Sequence, residues 1–276
     1  MWDIIKSIIL GIVEGITEWL PVSSTGHIIL VEEFLHLNVS ADFKSMFDVV
    51  IQLGAIIAVI ILFWNKIWPF QSKKEGGTLF KTNALVLWLK IILSCIPAGL
   101  MVVFGLDELC EELFYSPTPI ALALIIVGVM FIIIERIYKN KPSSVNTLQD
   151  ITYLQALLIG VSQVLAAVFP GTSRSGITII TALILGLSRS VAAEYTFVLS
   201  VPVMAGASAL KLLKFGFDYS TDEFLILLSG FVSAFVVSLF VIKFLMNFIK
   251  KHDFQVFGYY RIILGILVLI YFQFIA

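Results

Sequence analysis

The chain has 276 residues, 59% hydrophobic and 13% charged, with a net charge of −1. A mean hydropathy of +1.03 excludes a soluble globular domain and marks a polytopic membrane protein; no basic run supports a nucleic-acid partner. Cys95 lies in an apolar tract and Cys110 in an acidic one, which fits neither a disulfide framework nor a metal site.

In chain order, residues 4–20 and 24–36 are apolar segments too short to cross a bilayer, which takes about 20 residues. They read as a re-entrant helical hairpin with Pro21–Ser23 at its deep tip. Glu14 and Glu18 interrupt the first apolar run and no small-x-small site follows, so a cleavable signal is not expected. Residues 46–64, 83–104 and 118–136 are predicted spans, 151–169 and 173–187 a second short pair, and 190–213, 222–249 and 256–275 three further spans. The tract at 222–249 is long enough to tilt.

The two halves match at an offset of 149: Gly11 meets Gly160, Glu14 meets Gln163, Pro21 meets Pro170 and Ser24 meets Ser173. Repeat one, residues 1–140, and repeat two, 148–276, each hold one hairpin and three crossings. Three is odd, so the second copy is inserted upside down. The predicted fold is an all-α polytopic integral membrane protein, one domain over 1–276, built as an inverted-topology repeat whose tips meet near the midplane.

Charge orients it. Lys66, Lys73, Lys74, Lys81, Arg136, Lys139, Lys141, Arg189, Lys243, Lys250, Lys251 and Arg261 would share one side, against Lys6, Lys44, Lys211 and Lys214 on the other. The first set belongs in the cytoplasm. The acidic loop with Asp107, Glu108, Glu111 and Glu112, both termini and the mouth of the first hairpin then face out.

Polar groups at membrane depth are functional candidates. Glu14 and Glu18 are one helical turn apart on one face. Like charges this close repel, so one holds a proton or a cation sits between them; all-oxygen ligands suit Mg²⁺. The pair alone also suits proton coupling in a transporter. At the second tip, Pro170 and Gly171 make a turn, and Thr172 or Ser173 can cap the next helix, whose N-terminus favours anions. Arg174 adds a two-pronged donor for phosphate oxygens, with Ser175 beside it and Thr178 over the same face. A capped helix whose Arg174 merely neutralises Glu18 is the competing reading. Ser24 and His27, three apart on one face, are candidate nucleophile and proton carrier, flanked by Ser23 and Thr25. Singly, Ser24 also reads as a cap and His27 as a satisfied imidazole. Gln52 and Ser200 read as helix–helix hydrogen bonders, and Trp64, Trp68, Tyr259 and Tyr260 as interfacial anchors. These residues point to a cation-assisted phosphate site inside a membrane, and stop short of a substrate.

Glu14-Gly-Ile-Thr-Glu18, Pro21-Val-Ser-Ser-Thr-Gly-His27 and Pro170-Gly-Thr-Ser-Arg-Ser-Gly-Ile-Thr178 resemble the motifs of the integral-membrane undecaprenyl-diphosphate phosphatases, the bacitracin-resistance proteins. The resemblance spans nearly the full length. It implies hydrolysis of undecaprenyl diphosphate to undecaprenyl phosphate, the carrier lipid of peptidoglycan and other envelope glycans. It implies Mg²⁺ or Ca²⁺ on Glu14 and Glu18, with Ser24, His27, Arg174 and Glu18 in the chemistry. Ser23, Thr25, Gly171, Thr172, Ser173, Ser175 and Thr178 are the expected substrate contacts. The pocket is expected to open to the outer side of the bacterial cytoplasmic membrane.

In the expected reaction Ser24 attacks the terminal phosphorus and His27 takes its proton, while Arg174 and the metal stabilise the oxygens and the prenyl tail lies in a lateral cleft. His27 or a cation-activated water as nucleophile stays open, as does a homodimer. The alternative function is a secondary transporter or lipid flippase, which needs no nucleophile.

Overall fold

The computed structural model describes residues 1–71, 79–139, 141–216 and 219–274. Lys73 and Lys74, and the side chains of Asp107, Glu108 and Glu111, lie outside the described residues.

The first hairpin is α1 (Trp2–Thr17) and α2 (Ser24–Glu32), followed by α3 (Ala41–Leu62), a single turn α4 (Trp64–Ile67), α5 (Thr82–Val103), α6 (Leu106–Phe114) and α7 (Pro117–Tyr138). The second half runs α8 (Tyr153–Val168), α9 (Arg174–Ile184), α10 (Arg189–Phe215), α11 (Thr221–Phe248) and α12 (Gln255–Phe274). Among the described residues α3, α5, α7, α10, α11 and α12 are long and apolar enough to cross a membrane. The chain is thus an all-helical, multi-pass membrane protein. The helix α6 fell inside a predicted loop, and α4 runs from the last residue of the predicted span 46–64 into the loop after it; the acidic stretch of α6 hid its apolar stripe.

Helix ends follow local chemistry. α1 stops at Thr17, earlier than its apolar run, because Pro21 has no N–H for the Thr17 carbonyl. Ser40 caps α3 and Ser188 caps α10, each accepting the N–H three residues on. Thr152 with Gln155 and Ser220 with Glu223 form capping boxes on α8 and α11.

Packing between helices rests on small residues. α1 buries Ser7, Leu10, Gly11 and Glu14 along one stripe, set against α11. A Cβ on Gly11 would stand 2.3 Å from the Gly230 carbonyl oxygen, so only glycine permits that approach. α8 meets α5 in the same manner: Ser94 Oγ donates to the Ala156 carbonyl at 2.6 Å and Gln163 Nε2 to the Ser94 carbonyl at 3.0 Å. α7 crosses α12 where Gly128 and Gly258 face each other's carbonyls. Each hairpin is therefore held by a long helix of the opposite half.

Two expectations change here. Arg261, placed with the cytoplasmic charges by its chain position, is fully buried; two helical turns into α12, it reaches backward to the tips. Removing it leaves the charge asymmetry in the same sense. Ser200 bonds the Phe197 carbonyl of its own helix at 2.6 Å, the intrahelical bond always within a serine's reach, and not a neighbouring helix.

Candidate active site

Both hairpins break at a serine in a strained conformation. Ser23 (φ 76°) and Ser173 (φ 70°) are the only non-glycine residues with positive φ among the described residues. Each caps the following helix, Ser23 accepting from Gly26 N–H at 3.4 Å and Ser173 from Gly176 N–H at 3.1 Å. The tips thus correspond as Ser23 to Ser173, one residue from the pairing of Ser24 with Ser173 that the sequence suggested. Backbone strain of this kind persists where surrounding contacts over-determine it.

The tips touch. Arg174 Nη2 donates to Glu18 Oε1 at 2.7 Å, and Ser24 Oγ donates to Glu18 Oε2 at 3.1 Å. Ser175 Oγ donates to the Glu18 carbonyl at 3.2 Å. One carboxylate therefore joins the hydroxyl of the first tip to the guanidinium of the second. Arg174 also reaches the Thr196 carbonyl at 3.3 Å. The Glu18 N–H bonds the Glu14 carbonyl at 3.0 Å, which keeps the two glutamates on one face. Glu14 is fully buried and neither of its carboxylate oxygens has a hydrogen-bond partner. A carboxyl buried without a partner is costly, so this position calls for a proton or a cation.

Other expected site residues are placed differently. His27 Nδ1 lies 2.7 Å from the Ser23 carbonyl and Nε2 2.7 Å from Tyr260 Oη. A carbonyl only accepts, so Nδ1 carries the hydrogen and Tyr260 donates to Nε2. Both ring nitrogens are engaged away from Ser24. Thr178 Oγ1 bonds the Arg174 carbonyl at 2.8 Å and accepts from Thr196 Oγ1 at 3.0 Å, so its hydroxyl is held inside the protein. Ser173 Oγ and Ser175 Oγ are 3.1 Å apart. Gly171 has φ +91°, and a Cβ there would stand 2.5 Å from the Ile120 carbonyl oxygen. Its carbonyl and that of Thr172 accept from Arg261. Thr25 sits partly exposed on the first turn of α2.

Tyr260 and Arg261 are the contacts that sequence reading missed. A charge two turns inside an apolar helix, beside a tyrosine pair, was the available signal. Two apolar clefts border the tips. One, of about 460 Å³, is lined by Phe114, Leu122, Ile126, Leu165, Phe169 and Thr172. The other, of about 440 Å³, is lined by Ile16, Leu20, Val31, Phe257, His27 and Tyr260.

Chemically, the arrangement offers a hydroxyl on a carboxylate base, a guanidinium for an oxyanion, and a second buried carboxylate with free oxygens. Known proteins point the same way. The chain is 58% identical to an undecaprenyl-diphosphatase of Desulfitobacterium hafniense, over 98% of this chain and 96% of that protein. It is 56% identical to one from Enterococcus faecalis, over 97% and 96% of the two chains. It is 54% identical to one from Acetivibrio thermocellus, over 99% and 98%. Residues 7–267 match the family model described as bacitracin resistance protein BacA, and with that coverage the chain belongs to the BacA family.

Proposed function

We infer that this chain hydrolyses undecaprenyl diphosphate to undecaprenyl phosphate and inorganic phosphate. The observation that carries the reading is the joint hold of Glu18 on Ser24 and Arg174, in a chain more than half identical over nearly its full length to proteins named undecaprenyl-diphosphatase. A merely neutralising Arg174 also explains one of those bonds; it leaves the serine on the second oxygen without a purpose. The relatives lend the transporter reading no support.

The bound diphosphate takes Arg174 away from Glu18, exchanging a carboxylate for phosphate oxygens in a bidentate fork. Ser24 Oγ then attacks the terminal phosphorus, and its proton passes to Glu18 Oε2, already hydrogen-bonded at 3.1 Å. The bond from phosphorus to the bridging oxygen breaks and undecaprenyl phosphate leaves with that electron pair. Water cleaves the phosphoserine, restoring the hydroxyl and releasing inorganic phosphate. His27 orients the turn through the Ser23 carbonyl, in place of the base role its spacing suggested.

The donor set fits a divalent cation. Glu14 supplies two unpartnered oxygens one turn from Glu18, a hard-oxygen pair suited to Mg²⁺ or Ca²⁺. The protein's share of such a site would be these two carboxylates, with phosphate oxygens and water completing the shell. When bound, the cation neutralises phosphate charge.

The inverted repeat is supported by the exchange of partners, α1 on α11 and α8 on α5, and by the paired strained serines. With the Lys/Arg asymmetry added, the reading has the chain in the bacterial cytoplasmic membrane, the first hairpin entering from outside and the site opening outward. The prenyl tail lies in one of the apolar clefts.

Purified full-length protein supplied with undecaprenyl diphosphate is expected to release phosphate with Mg²⁺ or Ca²⁺ and to stop in EDTA. Rapid denaturation in neutral detergent, which spares both phosphoserine and phosphohistidine, should trap phosphoserine at Ser24. No release under any divalent-ion condition refutes the assignment; phosphate on His27 refutes the Ser24 step.

A further inference from the structure

Among the described residues Arg261 is the one buried cation near the site that the phosphoryl-transfer chemistry leaves unused. It lies six residues past Gln255, about 9 Å along α12 at 1.5 Å per residue, and is 0% exposed. A guanidinium at that depth is retained only where specific partners hold it.

Those partners belong to both tips. Nη1 donates to the Pro21 carbonyl of the first hairpin at 3.2 Å. Nη2 donates to the Gly171 and Thr172 carbonyls of the second at 2.8 and 2.9 Å. Nε reaches the Leu124 carbonyl of α7 at 3.4 Å. Four donors of one planar fork are thus bonded to backbone oxygens on three separate segments. Among the described residues no carboxylate pairs with Arg261. Its charge is solvated by carbonyl dipoles alone.

Two consequences follow from that geometry. One rigid group bonds both tips, which also meet through Glu18 and Arg174. The peptide joining Thr172 and Ser173 is planar and trans, so with its oxygen on Arg261 its N–H points the opposite way. The fork therefore also orients a backbone donor at the start of α9.

We propose that Arg261 is a positioning residue for phosphoryl transfer: it clasps both hairpin tips through their carbonyls, fixes the separation of Glu18 from Arg174, and leaves an uncompensated positive charge behind the turns that receive a diphosphate. This inference rests on the phosphatase reading of the site. Lysine cannot replace the fork, because a single ammonium cannot span carbonyls on three segments.

The test uses the purified full-length chain, with Mg²⁺ and undecaprenyl diphosphate, in wild type, Arg261→Lys, Arg261→Gln and Glu18→Gln, and in the Glu18→Gln/Arg261→Lys double variant. Thermal unfolding and size exclusion select the folded fraction. In folded Arg261→Lys, kcat is expected to drop about 10²-fold, the cost of a misplacement near 1 Å, with KM within about 3-fold because the charge is kept. Arg261→Gln should lose kcat and also raise KM about 10-fold or more, since the positive charge behind the turns that attracts the diphosphate is gone. Single-turnover rates in the double variant should fall by clearly less than the product of the two single losses, because Arg261 acts by placing Glu18 and Arg174 relative to each other.

Wild-type kinetics in folded Arg261→Lys would overturn the proposal, as would losses that simply multiply in the double variant. Failure of both Arg261 variants to fold would make the residue structural only, which also overturns it. A wild-type protein that releases no phosphate sinks the phosphatase reading itself and is told apart by that control.

Discussion

Glu18 holds the first tip to the second, and each of its oxygens has a separate duty. One neutralises Arg174 and the other accepts from Ser24. Glu18→Gln keeps the shape but removes the charge and the base, and leaves one acceptor oxygen where Ser24 and Arg174 each had their own. The ion pair is buried, at 11% and 14% side-chain exposure, and loss of one buried partner costs about 3–5 kcal/mol. A lower unfolding temperature and a kcat fall of about 10²–10⁴-fold are expected together, by calorimetry and phosphate release. Ser24→Ala differs. It deletes one hydrogen bond of a partly exposed side chain, so stability should hold while kcat drops about 10³-fold or more, as when a nucleophile is removed. A stable, active Ser24→Ala protein argues for direct attack by water. At this scale the sequence displayed the acidic pair, the hydroxyls and Arg174, because charges in an apolar tract are conspicuous. It could not show that His27 turns to Tyr260, since side-chain direction depends on a helix more than 230 residues away.

The hairpins are elements whose ends matter more than their lengths. Both tips hold a serine at positive φ, and Gly171 adds a third such position where Ile120 leaves no room for a Cβ. Gly171→Ala therefore meets a left-handed penalty of about 1–2 kcal/mol and a clash with α7, and it displaces two carbonyls bonded to Arg261. A depressed unfolding temperature with kcat reduced about 10²-fold is expected for protein that still inserts into membranes. Equal kcat in the folded variant would show that the turn tolerates the shift. The spans were readable from hydropathy to within a few residues at most ends, since twenty apolar residues have few alternatives. Strain at Ser23 and Ser173 was not, because Ser-Ser-Thr and Thr-Ser-Arg carry no mark of φ; nor was α6, whose acidic composition resembles a loop.

For the molecule as a whole, the charge pattern makes a prediction about sidedness. With Cys95 and Cys110 replaced by Ser, a cysteine at exposed Asn38 should react with an impermeant thiol reagent in intact cells, and one at exposed Lys250 only after permeabilisation. The opposite pattern would reverse the outward-opening site. Legibility at this scale was uneven. The internal match between halves suggested two copies, yet which helix grips which hairpin is a matter of small residues at crossings, and Gly11 or Gly160 gives no hint of its partner's identity. Leu-rich lipid-facing stripes are interchangeable in sequence, so the crossings had to be seen.

That grip across halves has a bearing on biogenesis. α1 ends at Thr17, whereas the helix that encloses it begins at Thr221. At about 5–20 residues per second, the ribosome needs on the order of 10–40 s to deliver that lid for the first hairpin. Throughout that wait Glu14 and Glu18 must be sheltered by the translocon, a chaperone or headgroups, because α11 and Arg174 have not been made. An N-terminal fragment should consequently be degraded unless the complementary fragment is co-expressed.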